Sequence, residues 1–198
     1  MNQLMVTRTD QLKTGILKSA RSRFLGPGFG KTTMTEIAND CGISPAHLYN
    51  FYENKLDLAV AIMDKFMQEQ EGELSHELAR DVPLNKALRS YFQTEFDHNF
   101  QTQAQHPGLA DLINRVRRQR KVAAEGFRIR YLKDLSLFLD RGMRGGQLKA
   151  SDPFWLAETL HAMTFPFRNL AFPVQNTLPE MRLQLDAVLD VMLAGIEA

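Results

Sequence analysis

Residues 26–33 read GPGFGKTT, and the glycines with the Gly-Lys-Thr ending suggest a loop that cradles nucleotide phosphates. Such a loop, G-x-x-x-x-G-K-[ST], presents backbone N–H groups to the phosphates and a lysine to their terminal charge. The spacing does not fit. Counting back from Gly30-Lys31-Thr32, the first glycine should stand at position 25, which is Leu, so the stretch is G-x-x-x-G-K-T. Other constellations for catalysis or metal binding are also missing. The histidines at 47, 76, 98, 106 and 161 have no metal-ligand spacing, and no Ser/His/Asp or Cys/His arrangement is recognisable. The expectation is therefore of a protein that is not an enzyme and uses no cofactor or metal.

The elements around GPGFGKTT give it a different meaning. Leu12, Ile16, Ala20 and Phe24, with Leu17 beside them, form one apolar stripe at helical spacing, and the segment from about Thr9 to Leu25 stops at Gly26-Pro27-Gly28. A nucleotide loop follows a strand, and this stretch follows a helix. Thr33-Met34-Thr35-Glu36 is a capping box, and Met34, Ile37, Ala38 and Cys41 share one face of the helix it opens. Gly42 can end that helix, Ser44 can cap the next, and Pro45 suits its first position. The new helix is short, from Pro45 to about Phe51. Asn54 then caps a long helix that begins near Lys55, with Leu58, Ala59, Ile62, Met63 and Phe66 as its apolar face. Two short helices joined by a tight glycine-containing turn describe a helix-turn-helix, although a plain helical hairpin has the same outline.

The stretch GFGKTTMTEIANDCGISPAHLYNFYENKLDL (28–58) closely resembles the N-terminal domain of the TetR family of transcriptional regulators. The matching residues are Gly28-Phe29, Thr32-Thr33, Ile37-Ala38, Cys41-Gly42-Ile43-Ser44, Leu48-Tyr49, Tyr52 and Asn54-Lys55; the resemblance covers about residues 9–58. It departs at Phe51, where many members carry histidine. The resemblance implies an all-α protein: a three-helix helix-turn-helix DNA-binding domain over 1–55, then a helical ligand-binding and dimerisation domain over 56–198. It further implies a homodimer on a palindromic operator in double-stranded DNA, with a small-molecule effector in the body.

The residues suit those roles. Between Arg8 and Lys55, seven basic residues stand against four acidic ones, a local excess of three in a chain whose formal net charge is +1. Thr32, Thr33 and Thr35 at the start of the second helix, and Ser44 at the start of the third, are expected to face DNA phosphate, with Lys31 or Lys55 adding a charge. Pro45, Ala46, His47 and Asn50 are candidates to face the major groove, and Tyr49 a phosphate. Leu48 and Phe51 are expected in the core, closing the third helix onto the first.

Beyond Asp57 helical periodicity continues, without convincing strand alternation. Pro83 opens a helix carrying Leu84, Leu88, Tyr91, Phe92, Phe96 and Phe100, and His106-Pro107-Gly108 ends it. A short helix with Leu109, Leu112, Ile113 and Val116 follows, then a long one from Val122 to about Met143. Ser151-Asp152-Pro153 starts a helix towards Phe172-Pro173, with a kink at Pro166, and Pro179–Ala198 is the last. The final two helices are the family's usual dimer interface. Thirteen Phe and nine Met suggest an apolar, adaptable interior. Candidate effector contacts are Tyr91, Phe92, Glu95, Phe96, Phe127, Tyr131, Trp155 and His161, and His98 and Arg168 are further polar candidates. The run RVRRQRKVAAEGFRIR (115–130) reads as a solvated surface, with a supporting contact to DNA or a ligand carboxylate as the alternative.

The 198 residues are 44% hydrophobic and 24% charged, as in an ordinary soluble protein. The single cysteine, Cys41, excludes an internal disulfide framework and suits a reducing compartment. No apolar run spans a bilayer and no signal-peptide pattern opens the chain, so a cytoplasmic protein without membrane association is expected. The most direct reading is a ligand-responsive repressor released from its operator by a small apolar or amphipathic effector. The alternatives are a small-molecule-binding or interaction protein whose helix-turn-helix no longer binds DNA, and a TetR-like activator.

Overall fold

The computed structural model describes residues 8–168 and 177–198. They form helices α1 (Arg8–Arg23), α2 (Met34–Asp40), α3 (Pro45–Tyr49), α4 (Lys55–Leu78), α5 (Leu84–Gln105), α6 (Leu109–Gln119), α7 (Lys121–Arg144), α8 (Pro153–Met163), α9 (Phe165–Arg168) and α10 (Leu178–Ile196). Among the described residues extended pairing is confined to one isolated bridge, Leu148 to Glu197.

Two compact units emerge: residues up to Phe66 with His106–Ala124, and Met67–Gln105 with Glu125–Ala198. The first unit is closed by Ile16, Ala20 and Phe24 of the α1 stripe together with Ile37, Ala38, Leu48, Leu58 and Ile62, all at or near zero exposure. Leu109, Leu112 and Val116 of α6 are buried there too. In the second unit a single apolar cluster joins Leu74 and Leu78 of α4, Leu88, Tyr91, Phe92 and Phe96 of α5, and Leu132, Leu135 and Leu139 of α7. Leu156 and Leu160 of α8 and Leu185, Leu189 and Met192 of α10 complete it. Outside that core, Arg182 of α10 reaches Asp97 at 2.6 Å and Gln93 of α5 donates to Asp186 at 2.7 Å.

Local signals set most helix ends. Asp152 caps α8 by accepting from the Trp155 N–H at 2.6 Å, and the Glu180 carboxylate accepts from the Thr177 N–H at 2.8 Å at the start of α10. Two boundaries differ from the sequence expectation. α1 does not stop at Gly26 but widens into a π-helical turn over Phe24–Gly28 and a 3₁₀ turn over Phe29–Lys31. At Pro166 the helix does not kink but breaks: α8 ends at Met163, Thr164 caps it, and α9 begins at Phe165. The break places Pro166 in the first turn of α9, where its missing N–H leaves no intrahelical bond unmade. The expected continuation to Phe172-Pro173 lies outside the described residues.

Candidate functional site

α2 and α3 are too short to persist alone, so their placement depends on caps and on what they pack against. Thr33 accepts from the Glu36 N–H at 3.2 Å, and the Glu36 carboxylate accepts from the Thr33 N–H at 2.8 Å. At the other end Gly42 has φ 64°, the Gly42 N–H donates to Asn39 O at 3.0 Å and the Ile43 N–H to Ala38 O at 3.1 Å. That pair of bonds is a Schellman closure, which needs the left-handed residue that glycine provides. Ser44 Oγ then accepts from the His47 N–H at 3.1 Å, with Pro45 at the first position of α3.

The result is a five-residue helix with one inward anchor. Leu48 is fully buried, whereas Ala46, His47, Tyr49 and Asn50 are exposed, Pro45 is half-buried and Tyr49 is 50% exposed. Thr33, Thr35 and Ser44 are exposed as well. Two of the expected phosphate residues sit differently. Thr32 is buried and its hydroxyl donates to Gly28 O at 3.0 Å. Lys55 is half-buried; its ammonium donates to Phe29 O and Thr32 O, both at 2.7 Å, and lies 4.3 Å from the Phe29 ring centroid. Burial, with the Arg115 charge as a second cause, lowers the Lys55 pKa from its ordinary value. Both residues hold the loop at 28–32, where Gly28 has φ 106°.

Contacts distant in sequence complete the head. The Arg23 guanidinium grips Asp40 at 2.5 and 2.8 Å and lies 3.3 Å from Glu36, so α1 is tied to both ends of α2. Ser19 donates to the same Asp40 carboxylate at 2.7 Å. The Arg23 and Ser19 bonds hold the Asp40 pKa down at about 2. Burial raises the Cys41 thiol, against thiolate formation. None of these long-range pairs has a local sequence signal; only the opposite charges of Arg23 and Asp40 hinted at one.

In the second unit, six of the eight candidate effector residues converge. Tyr91, Phe92, Glu95 and Phe96 lie on the inward side of α5, Tyr131 comes from α7 and His161 from α8, none more than 9% exposed. The Tyr131 hydroxyl donates to the Glu95 carboxylate, and Tyr91 Oη lies 3.3 Å from His161 Nε2. The imidazole packs edge-on against Tyr131, Phe92 and Tyr91, with centroids 4.9, 5.8 and 6.1 Å away. One turn further along α5, Asn99 accepts from buried Gln70 of α4 at 3.0 Å. Polar groups in such a place must be hydrogen-bonded to be tolerated. Two candidates stand elsewhere: Phe127 is half-buried beneath the Arg130 guanidinium, and Trp155 is 61% exposed. His98 pairs with Glu73 at 2.9 Å near an open acidic groove of about 510 Å³ lined by Glu69, Gly72, Glu73, His76, Glu77 and Thr94. The side chain of Arg168 lies outside the described residues.

Among the described residues no group of His, Cys, Asp and Glu could hold a metal ion, and no helix is long and apolar enough to cross a membrane.

The fold and the head together define a helix-turn-helix protein with a helical body. Residues 16–62 match the model of the bacterial regulatory proteins of the tetR family, and the chain carries that family's DNA-binding N-terminal domain. The family is one of transcriptional regulators rather than enzymes. Solved structures share the fold along nearly the whole chain. A Mesorhizobium loti protein assigned to the family is 18% identical, with 97% of this chain and 100% of that one covered and a TM-score of 0.77. A TetR-family regulator from Pseudomonas syringae is 21% identical over 96% and 98%, with a TM-score of 0.65. SmeT, the repressor of the Stenotrophomonas maltophilia multidrug efflux pump SmeDEF, is 23% identical over 94% and 90%, with a TM-score of 0.67. A sequence comparison with curated proteins returns no match.

Proposed function

We propose that the protein is a ligand-responsive transcriptional repressor that binds a palindromic operator in the cytoplasm as a homodimer. The observation that carries this reading is α3: a capped, five-residue helix whose single anchor is Leu48 and whose Ala46, His47, Tyr49 and Asn50 remain exposed. His47 and Asn50 can hydrogen-bond base edges, and Ala46 can touch a thymine methyl. Thr33, Thr35, Ser44 and Tyr49 are the proposed phosphate contacts, and Thr32 and Lys55 hold the loop behind them. Functionally the DNA-binding domain is assigned to 1–55 and the effector and dimerisation domain to 56–198.

Dimerisation is supported by exposed apolar side chains on α8, α9 and α10: Trp155, Met163, Phe165, Leu183 and Val191, of which Leu183 and Val191 are 71% exposed. The effector reading is supported by the cluster of Tyr91, Phe92, Glu95, Phe96, Tyr131 and His161, which joins ring surface to a few convergent polar groups. An amphipathic small molecule suits that chemistry. Its entry would favour an arrangement of the two heads that no longer fits both half-sites, lowering DNA affinity by its differential affinity for the two states. SmeT, of similar fold, is a repressor.

The test is selection of bound fragments from the source genome, then titration of the best fragment at several salt concentrations. A palindromic site with steep salt dependence is expected. Weak, sequence-indifferent binding would overturn the reading and favour a binding protein with a vestigial helix-turn-helix.

A further inference from the structure

α6 belongs to the same compact unit as the helix-turn-helix. The Gly108 N–H donates to Leu25 O at 3.3 Å, and a Cβ on Gly108 would stand 2.5 Å from Phe24 O, so the backbones meet there directly. Further along, the Arg115 guanidinium sits 5.1 Å from the Phe29 ring centroid and pairs with Asp111 at 2.8 Å. Arg120, which ends α6, donates to Asp57 at 2.8 Å and to Asn54 at 3.3 Å. Asn54 is the cap of α4 and accepts from the Leu56 N–H at 2.9 Å. The C-terminal end of α6 is therefore fixed against the first turn of α4, which follows α3 in the chain.

At that end three cations are not used in holding the head together. Arg117, Arg118 and Lys121 are all exposed, and among the described residues none of them makes an ion pair. The nearby carboxylates, Asp111 and Asp57, are already taken by Arg115 and Arg120. The α6 dipole favours the cations of its last turn, Arg117 and Arg118, but not Lys121, which stands at the positive end of α7. The cluster is rigidly joined to the proposed DNA reader and is complementary to the charge that a reader approaches.

We propose that Arg117, Arg118 and Lys121 form an accessory phosphate clamp, which holds the duplex backbone beside the groove entered by α3. The clamp adds affinity and salt dependence without sequence preference. It rests on the DNA-binding reading above.

The experiment titrates the selected operator fragment with wild type, R117A/R118A, R117K/R118K and K86A/K133A, over about 50–400 mM salt. Lys86 and Lys133 are exposed in the second unit, so the last variant removes equal charge elsewhere. Each phosphate contact adds about 0.9 to the slope of log K against log salt. R117A/R118A should lower the slope by about two, and its affinity deficit should narrow about tenfold between 50 and 200 mM. R117K/R118K and K86A/K133A should keep the wild-type slope, and preference for the operator over an unrelated duplex should be unchanged in every variant. An unaltered slope in R117A/R118A, or an equal loss in K86A/K133A, overturns the clamp while leaving the DNA-binding reading intact. A wild type with no salt-dependent operator binding removes both.

Discussion

In the head, the polar contacts that order α2, α3 and the loop at 28–32 lie at helix ends and in turns, whereas in the second unit the distinctive ones lie mid-helix in the core. Thr33, Ser44, Asn54 and Lys55 each satisfy backbone groups that short helices and a tight loop leave open. Glu95, Tyr131, His161 and Tyr91 instead interact with one another, among rings. The difference follows from helix length. Five- and seven-residue helices are mostly ends, so their order must come from caps and a few anchors. Helices of more than twenty residues, such as α5 and α7, satisfy their own backbones and can devote side chains to a buried site. The polar groups of the head thus order a displayed surface, and those of the second unit a buried cluster.

The strongest way to break that contrast is to remove the head's single recognition-helix anchor. Leu48→Ala should cost about 2–5 kcal/mol and abolish operator binding, because α3 has no other buried side chain. Thermal unfolding together with DNA titration checks it, and a loss of ligand response with retained DNA binding would contradict it. In the second unit, Tyr131→Phe keeps the ring but removes the hydroxyl that donates to Glu95, and should cost about 1–3 kcal/mol. On the function proposed above, the ligand-free variant should keep the wild-type operator affinity, and the effector concentration for half-release should change. Measuring both separates a site in the body from a general defect.

Arg120→Ala sharpens the head's side of the comparison. Its ion pair with Asp57 is partly exposed, so a loss of about 1 kcal/mol or less is expected, seen as a small drop in the melting temperature. The smallest effect belongs to Asp40. Its pKa is depressed from 3.8 to about 2, so its contribution is present above about 4 and lost as the pH falls through about 2. Asp40→Asn should destabilise the head slightly at neutral pH. The gap from wild type should close between those two values in a pH series of unfolding curves.

The helix boundaries show what could be read in advance. Thr33 with Glu36, Gly42, Ser44-Pro45, Asn54 and Asp152 all signal through bonds spanning two to five residues, and each cap forms as those signals indicate. The same holds for the stripe Ile16, Ala20 and Phe24. The threonines mark the limit. Nothing in Thr32-Thr33 says which hydroxyl turns inward, because the answer depends on a loop closed by Lys55, more than twenty residues away. The effector candidates divide likewise: periodicity put Tyr91, Phe92 and Phe96 on one face, the structure adds buried Glu95 to it, and Trp155 fits a wall on paper and stands exposed.

By itself the sequence determined the all-α class, the succession of helices in the head and the residues offered by α3, since these depend on propensity, caps and periodicity within a few positions. Only the tertiary structure decided that α6 joins the head, that Arg23 ties α1 to α2, and that Tyr131 and His161 meet on either side of the α5 face. Those pairings join residues from 17 to more than 80 positions apart. No local signal encodes them, because they exist only once the apolar faces have chosen their neighbours.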